Sequence, residues 1–174
     1  DYGTFPDGDY PDSVPNLRSS KQQQTPGNGD TGFTLKEAMR DRSFWYISLG
    51  HGTALLIVST IPVHLVPYLV EGGGWNTAPA AAVMTLITAT MLAGQVAIGL
   101  VGDRFNKAIV AAAGTLGHGV AMLMLAYTTS VPLVILAMTI HGLSWGSRGP
   151  LMMAIRADYF GASNFGVIMG WSSL

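Results

Sequence analysis

The stretch at residues 132–155 reads PLVILAMTIHGLSWGSRGPLMMAI, and Arg148 is the only Asp, Glu, Lys or Arg in it. A helix needs about 20 predominantly apolar residues to cross the hydrocarbon core of a bilayer, so this stretch is long enough to span a membrane. An ionised side chain at membrane depth is costly, which makes it a functional candidate by default. Arg148 is therefore the first residue that needs a role.

Further charge-free runs precede this stretch, at residues 43–70, 72–102 and 108–147. We predict membrane helices at 43–70, 77–101, 108–127 and 131–156, and a fifth that starts near Asn164 and is cut off at Leu174. Their glycines, above all Gly114, Gly117, Gly119, Gly142, Gly146 and Gly149, indicate close helix packing. The predicted fold class is an all-α polytopic membrane protein.

The composition agrees with a membrane protein once it is divided by region. The chain has nine basic and ten acidic residues, and only seven of them follow Arg42. A soluble domain would need far more polar surface. A net charge of −1 gives no indication of nucleic acid as a partner, and the absence of cysteine excludes a disulfide framework and thiolate metal ligands. We expect neither a metal nor a cofactor, and we expect the lipid bilayer and a small solute as partners.

The first 42 residues differ from the rest. Residues 1–33 are rich in Pro, Gly, Ser and Gln and predict a flexible linker. Thr34 and Glu37 have the spacing of a capping box, which predicts a short interfacial helix within residues 34–42. The chain starts at Asp1 without a signal segment and stops inside an apolar run, so we expect both ends to be cut.

Basic residues flank the predicted helices on alternate sides. They precede the first helix, follow the second and end the fourth: Lys36, Arg40, Arg42, Arg104, Lys107 and Arg156. The other two connectors have no basic residue. By the positive-inside rule, the linker, the 103–107 loop and the loop after residue 156 are cytoplasmic. The expected location is the plasma (inner) membrane.

One motif lies in the loop between the second and third helices. Residues 99–107 read GLVGDRFNK, in which Gly99 favours close packing, Asp103 is suited to cap a helix, and Arg104 and Lys107 are suited to pair with carboxylates or lipid phosphate. The alternative is an ordinary positive-inside turn. The motif resembles the GxxxDRxGR(K) signature of the major facilitator superfamily, which its members carry in cytoplasmic loops. Asn106 replaces the second glycine, and asparagine also visits left-handed backbone conformations.

Two further stretches narrow the resemblance. Residues 63–69 (VHLVPYL) and 148–161 (RGPLMMAIRADYFG) are similar to the seventh helix and the exit of the tenth helix in oxalate/formate-antiporter-like and monocarboxylate-porter-like members. This resemblance implies that the predicted helices are the seventh to tenth plus the start of the eleventh. The chain would then be a partial six-helix half of a twelve-helix bundle, with a missing N-terminal half as its partner and the linker as the central cytoplasmic loop.

The candidate substrate site follows from helix faces. His141, Trp145 and Arg148 are spaced i, i+4 and i+7, so they share one side of the fourth helix. A guanidinium there offers a planar fork to a carboxylate, and the indole offers an apolar wall. The alternative is a structural arginine that caps carbonyls or pairs with an acidic residue of the missing half. The oxalate antiporters hold their substrate-facing cations on the eighth and eleventh helices, and that site cannot be transferred to this chain.

All four histidines lie in apolar runs, where an imidazole either relays a proton or packs as a neutral, hydrogen-bonded group. His64 and Tyr68, one turn apart beside Pro62 and Pro67, are the candidates for substrate contact near the outer mouth. We read His51 and His118, each next to a glycine, as packing residues.

The function that these features predict is secondary active transport of a small solute, an organic carboxylate, by alternating access. A drug or amphiphile exporter of the same superfamily is the alternative. An intramembrane enzyme is the more remote alternative. His141 and Ser144 are the only imaginable base and nucleophile, and no acidic residue lies nearby to orient them. We expect no enzyme.

Overall fold

The computed structural model describes residues 32–161 and 163–173. Within these ranges the chain forms helices and no strand, which confirms the all-α fold class. The α-helices are α1 (Leu35–Arg40), α2 (Arg42–Pro67), α3 (Thr77–Val101), α4 (Lys107–Tyr127), α5 (Val131–Phe160) and α6 (Phe165–Ser172). Most of the predicted linker, residues 1–31, lies outside the described part, and so do the side chains of Val101 and Asp103.

The helix ends follow local chemistry. The prediction of 77–101 coincides with α3, but α5 runs four residues beyond the predicted end at residue 156. We placed that end at Arg156 because the apolar run stops there, whereas the backbone stays helical until Gly161, whose φ of 76° ends it. After α2 the chain makes a π-helical turn, Tyr68–Gly72, directly after Pro67. Proline removes a backbone donor, so the regular ladder is already interrupted at this point.

Helix α5 lies between α3 and α4 and packs against both along most of its length. Glycines permit the close approach to α3: a Cβ on Gly94 would lie 2.7 Å from the Leu143 carbonyl oxygen, and one on Gly146 would lie 2.8 Å from the Met91 carbonyl carbon. Gly142, Gly114 and Gly117 also face a neighbouring helix closely. The close-packing prediction is wrong for Gly119 and Gly149 within the described residues, because a Cβ at either position would meet no heavy atom within 4 Å.

Three of the described helical segments are long and apolar enough to cross a membrane. They are Arg42–Gly72, Thr77–Leu100 and Lys107–Tyr127. Helix α5, with 30 residues, has the length but is not among them. Its polar side chains His141, Ser144, Arg148 and Arg156 lower its mean hydropathy, and all four are buried against other helices.

Helix α2 contacts this three-helix layer at several points along its length. Ile61 and Leu65 join the main core with residues of α3, α4 and α5. At its start, Phe44 packs with Ala38, Phe160 and Ile168 in a second cluster. Between these two attachments Ile47 packs against Ala111, Met152 and Ile155 of α4 and α5, and a groove opens beside it, which is described below.

The short helix α1 begins with the capping box. The Glu37 amide donates to the Thr34 hydroxyl, and the Thr34 amide donates to the Glu37 carboxylate at 2.8 Å. This backbone hydrogen bond from Thr34 lowers the pKa of Glu37 from its ordinary value. The stabilisation is therefore present at neutral pH and is lost as the pH falls through the lowered value. Phe33, just before the box, packs edge-on against Phe160.

The alternating helices place the basic residues Arg40, Arg42, Arg104, Lys107 and Arg156 at one end of the bundle, which we call the basic end. A single cysteine at Gly72, which is exposed and where an added Cβ would meet no atom closer than 3.9 Å, should react with an impermeant thiol reagent added outside the cell, whereas one at Asn106 should react only after permeabilisation. Labelling of intact and permeabilised cells measures this, and the chain has no cysteine of its own to interfere. The reverse pattern would overturn the predicted orientation.

Candidate functional site

Buried polar side chains follow one face of α5. His141 and Arg156 are fully buried, Arg148 is 2% exposed, and Ser144 is buried too. Their spacing of three, four and eight residues keeps them on one side of the helix, which faces α2 and α4. A charged side chain in such a place needs a partner or a function.

Two of the predicted site residues, His141 and Trp145, lie together at the contact with α4, where His141 also meets His118. The Nδ1 atoms of His118 and His141 are 3.1 Å apart, and both rings are fully buried. Trp145, half-buried one turn further along α5, meets the His141 ring edge-on with 6.1 Å between ring centroids. His118, which the sequence predicts to be a hydrogen-bonded packing residue, is buried here with another histidine as its partner.

Arg148 reaches across to α2. Its Nη1 lies 3.0 Å from Nδ1 of His51, and its Nε has no hydrogen-bond partner in the described part of the chain. Among the described side chains, which do not include that of Asp103, the one ion pair joins Lys107 and Asp158, so none of the described carboxylates neutralises Arg148. The guanidinium keeps its charge and has donors to spare.

In Arg156, the second buried arginine, each of the three guanidinium nitrogens has a hydrogen-bond partner. Its Nε donates to the Ser172 hydroxyl at 2.7 Å, its Nη2 donates to the Ser172 carbonyl at 2.9 Å, and its Nη1 donates to the Met152 carbonyl. These bonds tie the end of α5 to α6. Arg156 is therefore a structural residue, in contrast to Arg148.

His64 and Tyr68 lie elsewhere. Both are exposed, and the Tyr68 hydroxyl donates to the Leu125 carbonyl at 2.7 Å, at the end of the bundle opposite the basic end. His64 lies about 20 Å along α2 from His51, at 1.5 Å per residue. The structure thus places Trp145 against His141, has Arg148 on the same face of α5 about 10 Å further along the axis, and leaves His64 and Tyr68 apart from them.

A groove of about 360 Å³ opens between α2, α4 and α5. It lies toward the basic end from the His51–Arg148 contact, and its lining is mainly apolar: Ser43, Tyr46, Ile47, Gly50, Ala108, Ala111, Ala112, Thr115, Met152, Ile155 and Tyr159. The groove is large enough for a small organic molecule.

The loop motif is only partly as predicted. Lys107 pairs with Asp158 at 2.7 Å and so links the start of α4 to the end of α5, while Arg104 is exposed. Gly99 is exposed, and a Cβ there would meet no heavy atom within 4 Å in the described part, so it is not a packing contact there. Asn106 has φ −66° and caps α4 by accepting from the Ala108 and Ile109 amides, so its value lies in its side chain and not in left-handed backbone.

Ser144 and His141, the pair that the remote enzyme alternative would need, are not joined. The His141 Nδ1 is paired with His118, and no hydrogen bond joins His141 to Ser144 among the described residues. Ser144 instead faces Gly117 of α4. The arrangement favours helix packing over nucleophilic catalysis.

Sequence reasoning did not find the partnership between His51 and Arg148. The two residues are 97 positions apart, and nothing in the spacing of either run points to the other. The sequence did indicate that a buried cation needs a polar partner, and the four histidines in the apolar runs are the side chains best suited to accept from it.

A family model described as Major Facilitator Superfamily matches residues 9–174. No curated protein and no solved structure matches the chain.

Proposed function

Since the chain belongs to the major facilitator superfamily, a family of membrane transporters, we propose that it carries a small organic carboxylate by alternating access. The observation that supports this substrate class is Arg148, a buried cation with no carboxylate partner in the described part of the chain. The family match itself supports transport over the enzyme alternative.

The depth of Arg148 supports a ligand role. It lies about 12 Å along α5 from Arg156 at the basic end, at 1.5 Å per residue, which is far for its head group to reach the membrane surface. Its neighbour His51 is not an anion, so the contact leaves the positive charge in place. A carboxylate would supply the missing charge and accept from the free Nε and the remaining Nη donors.

The neighbours of Arg148 supply the rest of the site in this proposal. Trp145 provides an apolar wall for the carbon part of the solute, and His141 borders it on the side of α4. His64 and Tyr68 contact the solute separately, near the mouth opposite the basic end. Gly99, Asp103, Arg104 and Lys107 serve the change between conformations, for which the Lys107–Asp158 pair is a breakable contact.

The same proposal includes the setting of the bundle. The linker and the 103–107 loop face the cytoplasm, and the membrane is the plasma (inner) membrane. The helices correspond to the seventh to eleventh of a twelve-helix transporter, and an N-terminal half faces them across the pathway. Alternating access needs two such halves that rock about a shared site.

The alternative substrate class is an amphiphile or drug, and the mainly apolar groove between α2, α4 and α5 is the feature that favours it. Uptake by the purified full-length protein in proteoliposomes separates the two classes. We expect uptake of radiolabelled formate, oxalate or lactate above that of protein-free vesicles, and none of tetraphenylphosphonium. Transport of the lipophilic cation without any of the carboxylates would overturn the proposal and support the exporter.

A further inference from the structure

The contact between α4 and α5 contains two histidines with unsatisfied ring atoms. The Nδ1 atoms of His118 and His141 are 3.1 Å apart, and the Nε2 atom of each ring is buried without a hydrogen-bond partner in the described part of the chain. Buried polar atoms nearly always have partners, and an exception needs an explanation. Since no bond to the described part of the chain fixes the protonation state of either Nε2, a proton can be added to or removed from these atoms without breaking a hydrogen bond.

A hydrogen bond between two Nδ1 atoms dictates where the protons are. If both rings are neutral, one ring carries its proton on Nδ1 and donates it, and the other accepts there and carries its proton on Nε2. The donating ring therefore has a bare Nε2 lone pair. One added proton at that atom makes an imidazolium whose Nδ1–H donates to the neutral ring, and such charge-assisted bonds are about twice as strong as neutral ones.

A second proton is opposed by the same geometry. It would remove the accepting lone pair, place two N–H groups against each other and put two positive charges on rings whose centroids are 4.8 Å apart. The pair is therefore suited to hold one added proton and no more.

We propose that His118 and His141 form a single proton-binding site shared between α4 and α5, and that the transporter takes up one proton there in its cycle. The second part of this statement rests on the proposed function. The first part concerns the site alone.

The charges around the pair link it to Arg148. On α5, Arg148 lies about 10 Å further along the axis, and on α2, His51 contacts that arginine. Helices α3 and α6 contribute no titratable side chain, and Lys107 of α4 lies at the far end of its helix, beside Asp158. The charge of Arg148 thus opposes the proton, and an anion bound to Arg148 would cancel that opposition. Proton and anion would then each raise the affinity of the other by the same factor.

Trp145 supplies a direct reporter. Its ring contacts His141, and an imidazolium quenches indole fluorescence more strongly than a neutral imidazole does. The full-length protein in lipid nanodiscs, without any solute, would be titrated from about pH 8 to about pH 5, a range that brackets the ordinary histidine value. The part of the signal that disappears in Trp145→Phe belongs to Trp145. We expect this part to follow a one-proton curve and to vanish in His141→Asn.

The decisive variant is His118→Asn, because it keeps His141 beside Trp145 and a hydrogen-bonding atom near the Nδ1 position, but removes the second imidazole. A shared proton predicts that its midpoint falls by about one pH unit, a tenfold loss of proton affinity. The matched control is His64→Asn on α2, where the Trp145 signal should not change. An unchanged midpoint in His118→Asn would show that His141 titrates alone, and the absence of a Trp145 component in the unaltered protein would show a simple packing contact.

If His118→Asn does not fold, the unaltered protein with ¹⁵N-labelled histidine decides the question. At the acid end of the titration we expect one imidazolium among the two rings and a scalar coupling across the Nδ1–H···Nδ1 bond. Two independent imidazolium signals or no coupling would overturn the proposal. Neither measurement needs a substrate, so failure of the proton site and failure of the carboxylate assignment are distinguishable.

Discussion

Arg148→Ala should nearly abolish carboxylate uptake while the protein is still produced and inserted. Arg148 is the one buried cation of the described residues that has a guanidinium nitrogen without a partner, whereas every nitrogen of Arg156 donates to Ser172 or Met152. Hydrogen bonds to charged groups contribute about 1.5–3 kcal/mol each, so loss of one or two weakens apparent binding by roughly one to four orders of magnitude. Initial uptake rates in proteoliposomes, corrected for the protein content of the vesicles, measure this.

Arg148→Lys tests the geometry of the same contact. Lysine keeps the charge but has no planar fork, so the Michaelis constant for the carboxylate should rise while some transport remains. Arg156→Lys is the matched control on the same helix: it should reduce the yield of folded protein and leave the Michaelis constant of the surviving protein unchanged. Normal uptake by Arg148→Ala, or failure of that variant to fold at all, would assign Arg148 a structural role instead.

Gly146→Ala should strongly destabilise the bundle. The added methyl would lie 2.8 Å from the Met91 carbonyl carbon and 2.9 Å from the Gln95 amide nitrogen, so α3 and α5 must move apart. Overpacking costs about 1–3 kcal/mol, occasionally more, and this exceeds the gain of about 1 kcal/mol that alanine brings to a helix interior. We expect a clear fall in the melting temperature of the detergent-solubilised protein.

Gly149→Ala is the control for this prediction, since the residue lies on the same helix three positions later and a Cβ there meets no heavy atom within 4 Å in the described residues. Its melting temperature should stay the same or rise slightly. Equal destabilisation by both variants would mean that helix propensity or an unseen contact, and not the α3–α5 crossing, determines the effect.

The comparison of these two glycines also shows what the sequence could and could not predict. Apolar runs and capping residues act within a few positions, so the helices and the Thr34 capping box could be located from the chain alone. A glycine lies at a helix crossing only if the two helices pack against each other at that position. The sequence around the glycine does not determine where this happens. For this reason the packing role was right for Gly146 and wrong for Gly149 within the described residues.

The candidate site also has one part that the sequence could predict and one that it could not. The spacing of His141, Trp145 and Arg148 put them on one face of α5, and the structure has them there. Their partners, His118 and His51, come from other helices, 23 and 97 residues away in the chain. Such pairs depend on packing between helices, so a reading of single helices could state only that a buried charge requires a partner.

The position of α5 between α3 and α4 also bears on how the protein is made. An arginine at the centre of a helix costs about 2.5–3.5 kcal/mol when the helix leaves the translocon for lipid. Helix α5 carries Arg148 and is less apolar than the three segments that qualify as membrane spans. Its two neighbours are synthesised before it, and their glycine-lined faces can receive it as it emerges. In the biogenesis of this protein, α5 would therefore enter the membrane by joining helices that are already inserted, and the order of the helices in the chain makes this possible.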